Sequence, residues 1–158
     1  MSGRPSTEEI AAFYEWFKAN FPPPPSAVTL GWTVVGVDVE KGVATIDFTA
    51  TEEMFNPGGS IQGGYLAAMM DDTMGPLMTV MAAGRRLPST TDLHLQYHRR
   101  AAPGTIRCVA KIIRMGRQVA TCSAEMFDGE GQLLVTGIQT AVMMQFDPSK
   151  AVAGKPRS

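Results

Sequence analysis

The stretch Ile61-Gln-Gly-Gly-Tyr-Leu-Ala-Ala-Met-Met-Asp-Asp-Thr-Met-Gly-Pro-Leu-Met-Thr-Val-Met-Ala-Ala83 decides how the rest of the chain reads. It is rich in Ala and Met, both good helix formers, and holds one internal proline, so it predicts one long helix over about 61–83. Gly75-Pro76 is expected to kink that helix or to mark where it stops being regular, because proline removes an amide donor. A loop of Asn, Pro and Gly (56–59) leads into it. Two neighbouring carboxylates, Asp71 and Asp72, interrupt the apolar run, where a charge is expensive to bury without purpose. Successive residues step about 100° around a helix, so the two are not expected to point at one place.

Working outward, the period changes from helical to alternating. Upstream, Leu30, Trp32 and Val34, then Ala44, Ile46, Phe48 and Ala50, alternate with more polar residues, and Lys41-Gly42 supplies a turn, which predicts a two-stranded hairpin. Downstream, four strands are expected over 90–99, 105–114, 118–127 and 132–145, with Leu93, Leu95 and Tyr97 alternating in the first. Pro103-Gly104, Met115-Gly116 and 128–131 (Asp-Gly-Glu-Gly) are turn sequences of the kind that join antiparallel neighbours. At the front, Ser6-Thr7-Glu8-Glu9 forms a capping-box pattern ahead of Ile10, Phe13, Tyr14 and Phe17 at helical spacing. Prolines 22–25 follow as a stiff extended connector. The expected organisation is an N-terminal helix and connector (1–27), one α+β domain in which a six-stranded antiparallel sheet packs on a single long helix (28–146), and a frayed tail (147–158).

Composition narrows the function. The 158 residues carry 44% hydrophobic and 18% charged side chains with a formal net charge of -1, which suits a globular domain and disfavours a nucleic-acid partner. No apolar run approaches the roughly 20 residues of a membrane span, and no basic stretch with a signal core opens the chain, so a cytoplasmic protein with no membrane partner is expected. Cys108 and Cys122 read as small buried residues. His94 and His98 share a strand face without a third ligand, so no metal and no other cofactor is expected.

From Asn56 through Gln62-Gly63-Gly64 to Asp71, the chain resembles the hotdog-fold acyl-CoA thioesterases of the phenylacetate-pathway (PaaI-like) type. Many of these open the central helix with His-Gly-Gly and place an Asp nine residues after that His, the spacing found here from Gln62 to Asp71. The resemblance extends through Thr91 to Gly104, 114–117 (Arg-Met-Gly-Arg) and 128–131, covering roughly 28–145. It implies hydrolysis of an acyl-CoA to free acid and CoA, with Asp71 as general base or nucleophile and the amide of Gly63 as oxyanion donor. It also matches Asn56 to a position that orients the thioester or water, and Thr90 to a hydroxyl that holds the water beside the Asp. The departure is Gln62, whose amide donates a hydrogen bond but does not titrate.

The residues themselves suit that chemistry. Gly63 and Gly64 open the helix, where backbone amides lack partners, the dipole is positive, and no Cβ blocks close approach. Met70 and Met74 are candidates to line an acyl tunnel, and Arg114 and Arg117 to meet the phosphates of CoA. Eight residues from Gly63 to Asp71 span about 12 Å of helix, so one thioester touches both only if the Asp comes from a second chain. The expected minimal unit is therefore a homodimer, which the resemblance extends to a homotetramer. The alternative is a hotdog protein that binds acyl-CoA without turning it over.

Overall fold

The computed structural model describes residues 3–146, so the expected tail lies outside the described residues. Ser6 caps α1 (Thr7–Asn20): its hydroxyl accepts from the Glu9 amide while the Glu9 carboxylate accepts from the Ser6 amide, completing the capping box. Ile10 and Tyr14 bury one side of α1 against Val80 of the central helix. The proline run does not stay extended throughout. Pro25 begins a short helix α2 (Pro25–Leu30), because proline at the first helical position loses no hydrogen bond. Gly31, in the left-handed conformation, ends it, so Leu30 belongs to a helix instead of the first strand.

The hairpin is β1 (Thr33–Asp38) and β2 (Val43–Ala50), followed by α3 (Gly63–Met81), β3 (Arg86–Tyr97), β4 (Gly104–Met115), β5 (Val119–Phe127) and β6 (Leu133–Gln145). All six strands form one antiparallel sheet in the order β1-β2-β4-β5-β6-β3. The turn sequence Pro103-Gly104 therefore does not join neighbours. β3 pairs only with β6 at the far edge, and its connection to β4 passes the start of α3, where the Ile61 amide donates to the Ala101 carbonyl at 2.9 Å.

The sheet packs on α3. Alternation sends Ala44, Ile46, Phe48 and Ala50 of β2, and Ala120, Cys122, Ala124 and Met126 of β5, into the core with Leu66, Met69, Met70, Met74, Leu77 and Met78. Both cysteines lie there as free thiols, each pushed up to about 12 chiefly by burial, which keeps them un-ionised and inert. Gly137 of β6 is required by packing: a Cβ there would meet Leu95 at 2.3 Å and Met70 at 3.1 Å.

Helix α3 runs through Gly75-Pro76 to Met81 without stopping. Pro76 has no amide to donate to the carbonyl four residues earlier, that of Asp72. The indole Nε1 of Trp32 donates to that same carbonyl oxygen at 3.1 Å, replacing the missing bond from outside the helix. Trp32→Phe is expected to lower stability by about 1–3 kcal/mol, the scale for orphaning a part-buried polar group. In the Pro76→Ala background, where an amide is restored, denaturant titration should show most of that loss disappear; equal losses in both backgrounds would refute the pairing.

Candidate active site

Three elements bring Asp71, Thr90 and Gln139 together. Asp71 lies midway along α3, half-buried, and its Oδ1 accepts from the Thr90 hydroxyl at 2.9 Å and from the Gln139 side-chain amide. The Gln139 amide also reaches Thr90 Oγ1, at 2.6 Å, closing a three-membered network in which neither bond to the aspartate uses Oδ2.

A β-bulge aims Thr90. The register of β3 on β6 pairs Thr90 with Ala141 and Asp92 with Thr140, leaving Thr91 as an extra residue whose hydroxyl bonds the Thr140 carbonyl at 3.0 Å. The extra residue changes parity: Thr90 before it faces the helix together with Leu93 and Leu95 after it, which pack on the core. On β6, Val135, Gly137, Gln139, Ala141 and Met143 occupy the inward slots, and Gln139 is fully buried with its Oε1 unpaired. Sequence reading missed this residue. Its signal was a glutamine in phase with an apolar strand face, where only a hydrogen-bonding task offsets desolvation.

Asp72 does not point away from the site as expected. The two carboxylates have different partners, yet both line a largely apolar cavity of about 600 Å³ between α3, α1 and the start of β3. The 100° step between them is spanned by a pocket wide enough to include both. Burial, and then the negative charge of Asp71, push the Asp72 carboxyl up from 3.8 to about 6, with the Ser26 hydroxyl partly opposing. One of its oxygens, Oδ2, is buried without a partner.

At the other end of the assembly of candidates, Gly63 and Gly64 occupy the first two positions of α3, where helix geometry gives their amides no intrahelical acceptor. The Tyr97 hydroxyl donates to the Gly63 carbonyl at 3.0 Å, and its ring lies 3.4 Å from where a Cβ of Gly63 would stand. Gln62 is the N-cap, exposed, with its side chain making no capping bond. Asn56 is committed to its own loop: Oδ1 accepts from the amide of Gly58 at 2.9 Å and of Ser60 at 3.3 Å, and Nδ2 donates to the Ser60 hydroxyl at 3.1 Å.

Met70 and Met74 do not line this cavity. Both are fully buried among the strand side chains, because α3 turns their face to the sheet and presents Asp71, Asp72, Gly75 and Pro76 to the cavity. Arg114 and Arg117 border a separate cavity of about 720 Å³ with Arg4, Arg85 and Arg86. Of these five, only Arg85 pairs with a carboxylate, Glu9, among the described residues. His94 is exposed on β3 and His98 is exposed just after it, where it bonds the Thr136 hydroxyl at 2.8 Å.

A raised carboxyl pKa in the folded state means the native protein binds a proton more tightly than the unfolded chain, so its favourable contribution is present below about pH 4 and lost as pH rises through about 6. Asp72→Asn is expected to remove that decline, making the variant more stable than the parent above pH 6 with little difference at pH 4. Denaturant midpoints measured across pH 4–8 check this; parallel curves for the two proteins would refute the burial of Asp72.

The family model of the thioesterase superfamily matches residues 58–135, which contain Gly63, Asp71 and Thr90. No curated protein matches the chain closely in sequence. Among solved structures, a phenylacetic acid degradation-related protein of Ralstonia eutropha is 35% identical, with 82% of this chain and 98% of that one covered at a TM-score of 0.77. A conserved protein of Pseudomonas aeruginosa is 26% identical over 89% of this chain and all of its own, with a TM-score of 0.71. The PaaI protein of Escherichia coli shares the fold at 16% identity and a TM-score of 0.73, covering 87% of this chain and 95% of that one. Sheet order, helix placement and these likenesses together make the chain a hotdog-fold, PaaI-like member of the thioesterase superfamily, a hydrolase of thioesters.

Proposed function

We propose that the protein hydrolyses acyl-CoA thioesters in the cytoplasm, with Asp71 as general base. The observation that supports this best is the Asp71 carboxylate on the wall of an apolar cavity, with Oδ1 fixed by Thr90 and Gln139 and Oδ2 outside both bonds. A water held at Oδ2 attacks the thioester carbonyl carbon as its proton passes to the carboxylate. The oxygen that becomes negative takes the amide of Gly63, with Gly64 beside it on the positive end of α3. Collapse of the tetrahedral intermediate breaks the carbon–sulfur bond, and the CoA sulfur takes the proton that Asp71 holds. Thr90 and Gln139 act by orienting the base, and Gln62, exposed beside Gly63, is placed to donate to the thioester without titrating. Asn56 contributes by holding the loop that leads into the helix.

Because α3 is unbroken between Gly63 and Asp71, the two stay about 12 Å apart in one chain. The site therefore draws Gly63 from one protomer and Asp71 from its partner, in a homodimer that further pairs into a homotetramer. Arg114 and Arg117, in the arginine-lined cavity, meet the phosphates of CoA.

Asp71→Asn is expected to cut acyl-CoA hydrolysis by at least about 10²-fold while the protein still binds acyl-CoA, measured by release of the CoA thiol. Asp72→Asn should stay within a few-fold of the parent. Co-expressed Asp71→Asn and Gly63→Val chains should regain activity that neither has alone, since a mixed dimer rebuilds one intact site; no recovery in a verified mixed dimer would sink the shared site. Arg114→Ala with Arg117→Ala should raise KM several-fold for a CoA ester but not for the matching pantetheine ester, and an equal rise for both would refute the phosphate role.

A further inference from the structure

Half of the residues that line the cavity beside Asp71 lie before the family match. Phe13, Trp16 and Phe17 of α1, and Phe21 and Pro22–Pro24 after it, wall the side opposite α3. The aromatic rings form a continuous row: Phe13 lies 5.7 Å from Trp16 and 6.0 Å from Phe17 by ring centroids, and Phe17 stacks on Phe21 at 4.9 Å. The row is seated deliberately. Gly84, with φ of +67°, lies where any Cβ would stand 2.1 Å from the Phe13 ring, so only glycine lets α1 come down over the end of α3. Trp16 remains 53% exposed on this wall, so its ring is available to the cavity.

We propose that this N-terminal aromatic wall is the acyl-binding surface of the site and selects apolar acyl groups of about eight or more carbons over short ones. The inference rests on the thioester-hydrolysing reading above and adds the class of substrate. Three observations carry it: the only polar groups reaching the cavity from α3 are the carboxylates of Asp71 and Asp72 together with Thr79, the aromatic row lies across from them, and the volume of about 600 Å³ holds the space of about 20 waters at roughly 30 Å³ each. An acetyl group at Asp71 would leave most of that cavity wetted against aromatic rings. A longer chain displaces that water and gains the burial that the exposed Trp16 offers. The specificity-determining residues are Trp16, Phe17 and Phe21 on one wall and Gly75 on the other, where a Cβ would meet nothing nearer than Pro88 at 3.8 Å.

The test is the ratio of kcat/KM for decanoyl-CoA to that for acetyl-CoA. The parent should favour decanoyl-CoA, and the ratio should fall at least about tenfold in Trp16→Ala, which removes a half-exposed ring and leaves the core of the protein intact. Gly75→Leu, which fills the cavity from the helix side, should lower the same ratio by a different route. Binding of decanoate, followed through tryptophan fluorescence, should weaken in both variants. A parent ratio near one, or a loss shared equally by both esters, would overturn the proposal, as would a Trp16→Ala protein whose change is in sedimentation and not in acyl preference. If the parent hydrolyses no CoA ester at all, the functional reading fails on its own terms, and decanoate binding still decides the cavity: unaltered affinity in both variants refutes it.

Discussion

A carboxylate placed on an apolar helix must find hydrogen bonds, and much of this structure is arranged to provide them for Asp71. The helix that carries it is wrapped by the sheet, so donors have to come from strands, and the two strands at one edge each supply one. Thr90 reaches the carboxylate only because a bulge changes the parity of β3 beside it. Gln139 reaches it only because an amide replaces an aliphatic side chain in an inward slot of β6. An ordinary strand at either place would remove one of the two donors, and ordinary strands at both would leave the carboxylate to water alone. Fixing Oδ1 from two sides leaves Oδ2 outside both bonds.

The same helix solves a second problem with a residue far away in sequence. Proline at position 76 opens the α3 backbone at Asp72, and Trp32 closes it through its indole nitrogen. Trp32 also borders the cavity, so one ring both completes the helix and shapes the space next to the carboxylates. Backbone integrity and pocket shape are thereby coupled at one side chain. The aromatic row of α1 extends that wall, and its seat depends on Gly84 in turn.

How legible this was in the sequence depended on whether the signal was local. Alternation gave the strand pairs, most clearly in β2, where Ala44, Ile46, Phe48 and Ala50 are the buried set. The family resemblance singled out Asp71 as a candidate, and the Ser6-to-Glu9 pattern gave the first helix. What failed was relational. Nothing in Pro103-Gly104 says that β3 lies four strands away from β2, because a turn sequence reports only that the chain bends. Leu30 fits a strand alternation and a short helix equally well until Gly31 is known to be left-handed. Met70 and Met74 are as apolar as a tunnel lining should be, yet helix rotation, fixed by tertiary packing, turned them into core. Gln139 was visible only once its strand had a known inward face.

Asp72 shows how the site's electrostatics follow from these placements. Burial makes the Asp72 carboxyl costly to ionise, and the negative charge of Asp71 on the preceding residue adds to that cost. Asp71 has Thr90 and Gln139; Asp72 has one buried oxygen with no partner, and it is Asp72 whose proton is held up to about 6. Placement thus gives two identical side chains different surroundings, donors from two strands for Asp71 and burial with little compensation for Asp72. Asp72 sits beside Asp71 as the group whose carboxyl is held up to about 6, chiefly by burial, and which takes up a proton as the solution falls through that pH.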